Sequence, residues 1–77
     1  MFEEGDIVIV KNNLKVNKNY DKGCTFVSSM EKFKNKTMEI ESIEFYQDKV
    51  RYILKGGEWW YFSESMLQSL KNSVRKL

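Results

Sequence analysis

Residues 58–64 read Glu-Trp-Trp-Tyr-Phe-Ser-Glu, four consecutive aromatic rings in a chain of 77 residues that has no proline. Successive side chains of a strand point to opposite faces, so Trp60 and Phe62 are predicted on one side, Trp59 and Tyr61 on the other. A chain this short builds one core, near the lower limit of what packing holds together without staples. One pair of rings can fill that core. The other lies at the surface, under a neighbouring element or in an interface, where large amphipathic rings are enriched.

The rest of the chain divides into short pieces. Ile7-Val8-Ile9-Val10 follows Gly5-Asp6 and reads as a first, buried strand. Asn12, Asn13, Asn17, Asn19, Asp21 and Gly23 mark a long loop up to Cys24, of a length that compact domains tend to reserve for binding. Phe26, Met30 and Phe33 then recur at helical spacing with Val27 beside them, which predicts a short amphipathic helix over 25–35 with Thr25 as its N-cap. Thr37 to Phe45 is a second strand with a change of phase: Met38 and Ile40 share one face, Ile43 and Phe45 the other. That reversal requires a bulge or sharp bend near Glu41-Ser42, a device small barrels use to close. Residues 46–49 form a turn, Val50 to Leu54 a third strand, 55–58 a glycine-bearing hairpin turn, and Trp59 to Phe62 the fourth strand. Ser63 opens a helical turn near 63–67. After it, Leu70, Val74 and Leu77 permit either a short closing strand or an amphipathic tail.

The formal charge of +2 is uneven. Residues 71–77 contribute Lys71, Arg75 and Lys76 without an acid, so the body through Leu70 has ten basic and eleven acidic residues. A nucleic-acid binder normally carries a clear cationic excess, which the body lacks. The single cysteine, Cys24, cannot form an internal disulfide, and this points to a reducing compartment. No apolar run approaches the roughly 18 residues of a membrane span. The first residues have neither the basic nor the apolar part of a signal peptide, so a cytoplasmic location is expected.

Histidine is absent, which removes the commonest general base, the Ser-His and Cys-His pairs and the usual nitrogen ligand for zinc. Glu39 and Glu41 lie on one strand face, but no ligand-spaced partner or glycine-rich loop accompanies them, and they read as a solvated surface. Gly56-Gly57 stands alone before a strand and reads as a turn rather than a phosphate cradle. Cys24 reads as a small buried hydrophobe. No catalytic residue, metal site or cofactor is expected.

Short strands, a long early loop and a helical turn before the last element amount to a mainly β fold with one short helix, a strongly bent antiparallel barrel of four to five strands. Residues 1–70 form the single domain and 71–77 a basic C-terminal tail. Gly5-Asp6-x-Val8-x-Val10 resembles the first strand of Src-homology-3-like barrels. The wider pattern has Tyr20, Gly23-Cys24-Thr25-Phe26-Val27, Met30 and then Trp60-x-Phe62-Ser63-x-x-Met66-Leu67. It is similar to short uncharacterised proteins of phages and prophages of Gram-positive bacteria, over about residues 5–70. The resemblance implies that Trp60 and Phe62 join Ile7, Ile9, Phe26, Met38 and Ile40 in the core. It also implies a ligand groove bordered by the long early loop.

A partner surface follows from these readings. Trp59 and Tyr61 are the expected anchors, and Tyr20, Lys15, Lys18 and Lys22 the polar rim of a groove that holds another protein, such as a host or defence factor of a phage. Lysines interleaved with aromatics are also compatible with a nucleic acid or nucleotide. Self-association through Leu67, Leu70, Val74 and Leu77 is a third reading.

Overall fold

The computed structural model describes residues 1–21 and 24–70. The fold is mainly β and antiparallel. Five strands make one sheet in the order β6-β5-β4-β1-β7: β1 is Ile7–Val10, β4 Thr37–Tyr46, β5 Lys49–Leu54, β6 Tyr61–Phe62 and β7 Leu67–Ser69. A separate hairpin pairs β2, Lys18–Tyr20, with β3, Cys24–Phe26. Two short 3-10 helices, Ser28–Phe33 and Glu64–Met66, complete the described chain.

The ten-residue β4 is the spine. Its first part pairs with β1, from Ile7 opposite Glu39 to Ile9 opposite Thr37, and the remainder pairs with β5. The register shifts between Ile40 and Ser42, leaving Glu41 as the extra residue. The predicted change of phase is therefore a bulge. It lets Ile40 reach the core before the shift while Ile43 packs on the same core after it. The turn into β5 places Gln47 at φ 47° and Asp48 at φ 66°, the paired positive values whose twist matches that of the flanking strands.

The core gathers Val8, Val10, Phe26, Met30, Phe33, Ile40, Tyr52, Leu54, Phe62, Met66 and Leu67. Phe62 is fully buried opposite Tyr52, with its ring edge-on to Phe33 at 5.9 Å. Gly57 makes room for it. A Cβ there would lie 3.1 Å from the carbonyl oxygen of Leu54 and 3.4 Å from the Phe62 ring, and Gly57 donates its N–H to that same carbonyl.

Three expectations need correction. In β1 the valines point inward and the isoleucines outward: Val8 and Val10 are fully buried, whereas Ile7 is 39% exposed and Ile9 half-buried. A run of four β-branched residues has no polar alternation to fix its face, and the neighbours decide it. Ile7 pairs with Glu39 and Ile9 with Thr37 and Gln68, all on the outer side. The helix over 25–35 shrinks to the 3-10 turn Ser28–Phe33, with Val27 at its cap, because Thr25 lies within β3. There Phe26 faces Lys18 and Cys24 faces Tyr20, and cross-strand pairing overrides the helical spacing. The long loop accordingly contains β2, so the strands number seven among the described residues. The tail at 71–77 lies outside those residues, but β7 closes back on β1, with Leu67 opposite Val10.

Burial separates the aromatic residues energetically. Phe62→Ala should cost about 3–5 kcal/mol, enough to unfold a domain with ordinary marginal stability. Trp59, 76% exposed, should lose less than about 1 kcal/mol on conversion to alanine. Urea denaturation monitored by far-UV circular dichroism measures both, and equal losses would refute the face assignment.

Candidate functional site

The aromatic run is only partly a strand. Tyr61 and Phe62 pair with Ile53 and Tyr52, while Trp59 belongs to the preceding turn. Glu58 holds that turn. It adopts φ 60°, its carboxylate forms an ion pair with Lys32 of the first 3-10 helix, and its Oε1 accepts the Trp60 indole N–H at 3.2 Å. The ion pair with Lys32, followed by the indole bond, keeps the Glu58 carboxyl below its ordinary range. Trp60 is partly buried against the core, and Trp59 packs on it with ring centroids 5.8 Å apart. Trp59 thus projects into solvent from a turn fixed at its base.

Tyr61 occupies the outer face of β5 and β6 and meets two residues that the sequence reading left out. The Arg51 guanidinium lies 4.1 Å from the centre of the Tyr61 ring and 5.0 Å from that of Tyr46, so it is stacked between the two. Glu44 sits directly opposite Arg51 in the β4–β5 register. Its Oε1 pairs with the guanidinium at 3.2 Å, and its Oε2 accepts the Tyr61 hydroxyl at 3.3 Å. The result is a fixed ledge of tyrosine, arginine and tyrosine, with Tyr46 52% exposed. Phe45, on the other face of β4 beyond the edge of the core, is 69% exposed. The signal for this ledge was available: Arg51 is the only arginine before residue 75, and Tyr46 lies within two positions of Glu44. Reading Tyr46 as a turn residue concealed it.

The proposed polar rim forms a different group. The Tyr20 hydroxyl accepts the Lys15 backbone N–H at 3.0 Å, and the Lys18 ammonium stands 5.3 Å over the Tyr20 ring. These contacts stabilise the β2–β3 hairpin internally. No hydrogen bond, ion pair or ring contact among the described residues joins Lys15, Lys18 or Tyr20 to Trp59 or Tyr61. Lys22 lies outside the described residues. The self-association stripe loses a member as well, since Leu67 is 3% exposed and committed to the core.

The hairpin is instead tied to the second 3-10 helix through Asp21. Its Oδ1 accepts the Ser65 hydroxyl at 2.6 Å and its Oδ2 the Ser65 backbone N–H at 2.8 Å. These two bonds, the hydroxyl first, lower the Asp21 carboxyl from its ordinary range. Ser63 is buried nearby with its hydroxyl lacking a well-formed hydrogen bond. On the other side of the second 3-10 helix, Tyr52 accepts the Phe2 backbone N–H at 3.0 Å and donates to Glu64 Oε1 at 3.1 Å. Burial pushes the Tyr52 hydroxyl up, and burial also raises the Cys24 thiol, which suits a packing role rather than a nucleophile.

Asp21, Asp48 and Glu64 line an open cleft of about 410 Å³ with Lys49 and Val50. Among the described residues no group of histidine, cysteine and carboxylate side chains is arranged to hold a metal, and no helix is long and apolar enough to cross a membrane. Comparison with models of protein families, with curated proteins and with solved structures finds no match. The arrangement offers adhesive chemistry: an exposed indole, a stacked guanidinium ledge and a separate acidic cleft.

The Asp21 tie responds to pH in a defined direction. Because its folded value lies below the ordinary 3.8, the stabilisation is fully present above 3.8 and disappears as pH falls through the depressed value. The Ser65 amide chemical shift should titrate with a midpoint below 3.8, and Asp21→Ala should abolish that titration. A midpoint at or above 3.8 would contradict the bonded geometry.

Proposed function

We propose that the protein is a non-enzymatic binding module with a Src-homology-3-like barrel architecture, which holds another protein on its aromatic surface. The long excursion after β1, the bulged β4, the 3-10 turn before the last strand and the return of that strand to β1 support the barrel reading. The binding reading rests on one observation above all: Trp59 is 76% exposed on a turn whose base is fixed by Glu58, Lys32 and Trp60. Glu58 takes φ 60°, and its bonds to Lys32 and to the Trp60 indole hold the turn in that conformation. Exposed tryptophan on rigid backbone supplies large contact area with little conformational entropy to lose.

Tyr61 adds a flat ring already immobilised by Arg51 and Glu44. The body's near-neutral charge favours a protein over a nucleic acid as the occupant. The resemblance to phage and prophage products assigns that partner to the host, as a cytoplasmic target or defence factor. This last step rests on the resemblance alone.

Affinity capture from host lysate treated with nuclease should retain the partner. With the captured partner purified, Trp59→Ala should weaken binding by about 2 kcal/mol in calorimetry while the circular dichroism spectrum is unchanged. Capture that vanishes after nuclease, or full affinity in the Trp59→Ala variant, would overturn this reading.

A further inference from the structure

The excursion between β1 and β4 is a lobe closed at its neck. Val10 donates its N–H to the Lys36 carbonyl at 3.1 Å, and Asn35 donates its N–H to the Val10 carbonyl at 2.7 Å. The chain therefore leaves the five-stranded sheet and returns to it at one place. Between these points lie the β2–β3 hairpin, a sheet of its own, and the first 3-10 helix.

Charge divides along the same line. Residues 11–36 carry seven lysines against Asp21 and Glu31, while residues 1–10 and 37–70 carry nine carboxylates against Lys49, Arg51 and Lys55. The near-neutral body is thus made of a basic lobe and an acidic sheet. Both acids of the lobe are engaged: Asp21 accepts two bonds from Ser65, and Glu31 pairs with Lys34 at 3.6 Å. Lys15, Lys18 and Lys36 are exposed and, like Lys11, take part in no ion pair among the described residues. Lys18 stands directly opposite Phe26 in the hairpin, and the Lys34 ammonium lies 5.3 Å from the centre of that buried ring, so the two cations gather about one side chain.

We infer that the basic lobe receives an acidic segment of the protein held at Trp59 and steers that protein toward the ring. The inference rests on the protein-binding reading and names the chemistry of the partner. Lys32 connects the two surfaces: it belongs to the 3-10 helix of the lobe, and its ion pair with Glu58 fixes the base of the Trp59 turn. An acidic partner is repelled by the sheet and attracted by the lobe, and opposite signs on the two parts orient its approach. A nucleic acid fits less well. The lobe has no arginine, the residue best suited to grip phosphate with two bonds. Its rings are also covered, with Phe26 and Phe33 buried and the Lys18 ammonium over Tyr20, so bases find no platform for stacking.

The test uses the full ¹⁵N-labelled chain at low ionic strength and three probes: a short capped peptide alternating glutamate and serine, its lysine–serine counterpart, and an oligothymidylate matched to the first peptide in charge. The glutamate peptide should shift the amides of Lys15, Lys18 and Lys36, and the lysine peptide should leave them in place. Lys15→Gln with Lys18→Gln should weaken the glutamate peptide about 5-fold. Lys49→Gln with Lys55→Gln, which removes the same charge from the sheet, should weaken it less than about 2-fold, and both variants should keep the circular dichroism spectrum of the parent. Equal weakening by the two pairs, or no shift in the lobe on adding the glutamate peptide, would overturn the inference. Tighter binding of the oligothymidylate than of the glutamate peptide would overturn it in favour of a nucleic acid. The effect of Trp59→Ala on the captured partner judges the protein-binding reading separately, so the two can fail independently.

Discussion

The bulge at Glu41 is the constraint on which the rest of the structure depends. One strand serves two neighbours, β1 through its first residues and β5 through the rest, and it must turn apolar side chains toward one core on both sides of the shift. Without the extra residue, Ile40 and Ile43 would point to opposite faces. The reversal also determines what appears outside. Past the bulge the outer face carries Glu44 and Tyr46, and cross-strand register sets Arg51 opposite Glu44. The tyrosine–arginine ledge is thus a consequence of the same shift that completes the core.

Phe62 is the point where core and surface are divided. Its burial against Tyr52 and Phe33, in the space left by Gly57, fixes the facing of β6 and turns Tyr61 outward. Trp59 is decided by a different agent. It precedes the strand, so strand alternation does not govern it, and the positive φ of Glu58 with its bonds to Lys32 and Trp60 sets its direction. The exposed Trp59 and the half-buried Tyr61, two positions apart in the chain, are therefore positioned by independent contacts. Their mutual geometry is rigid only because both sets of contacts are satisfied.

The second 3-10 helix joins the parts that sequence separates most widely. Ser65 anchors the hairpin loop through Asp21, and Glu64 receives the hydroxyl of Tyr52, a residue whose ring also supports Phe2 edge-on at 5.5 Å. These polar ties lie around one short turn, and their exposed members are individually modest in energy. Their structural effect is larger, because they hold the hairpin close to β5 and so form the walls of the cleft.

Much of the fold was legible in the chain itself. The β-branched run at Ile7–Val10, the phase change near Glu41, the turn at Gln47-Asp48 and the helical turn after Ser63 all carry local signals, and all lie where those signals put them. The inward face of β1 did not, because Ile and Val alternate without a change in polarity. Nor did β2, whose Lys-Asn-Tyr sequence holds a single strand-favouring residue and is a strand by virtue of its pairing with β3. For the candidate site, alternation set Trp59 apart from Phe62 but left open whether its ring was exposed or covered, and the lysine rim was not brought to it, since Lys15 and Lys18 are engaged around Tyr20. Arg51 was missed. Propensity and periodicity describe neighbours along the chain, and they determined which segments would be strands and turns. Which residues of different strands meet depends on register and on the bulge, so only the tertiary structure decided that Arg51 would stack between Tyr46 and Tyr61.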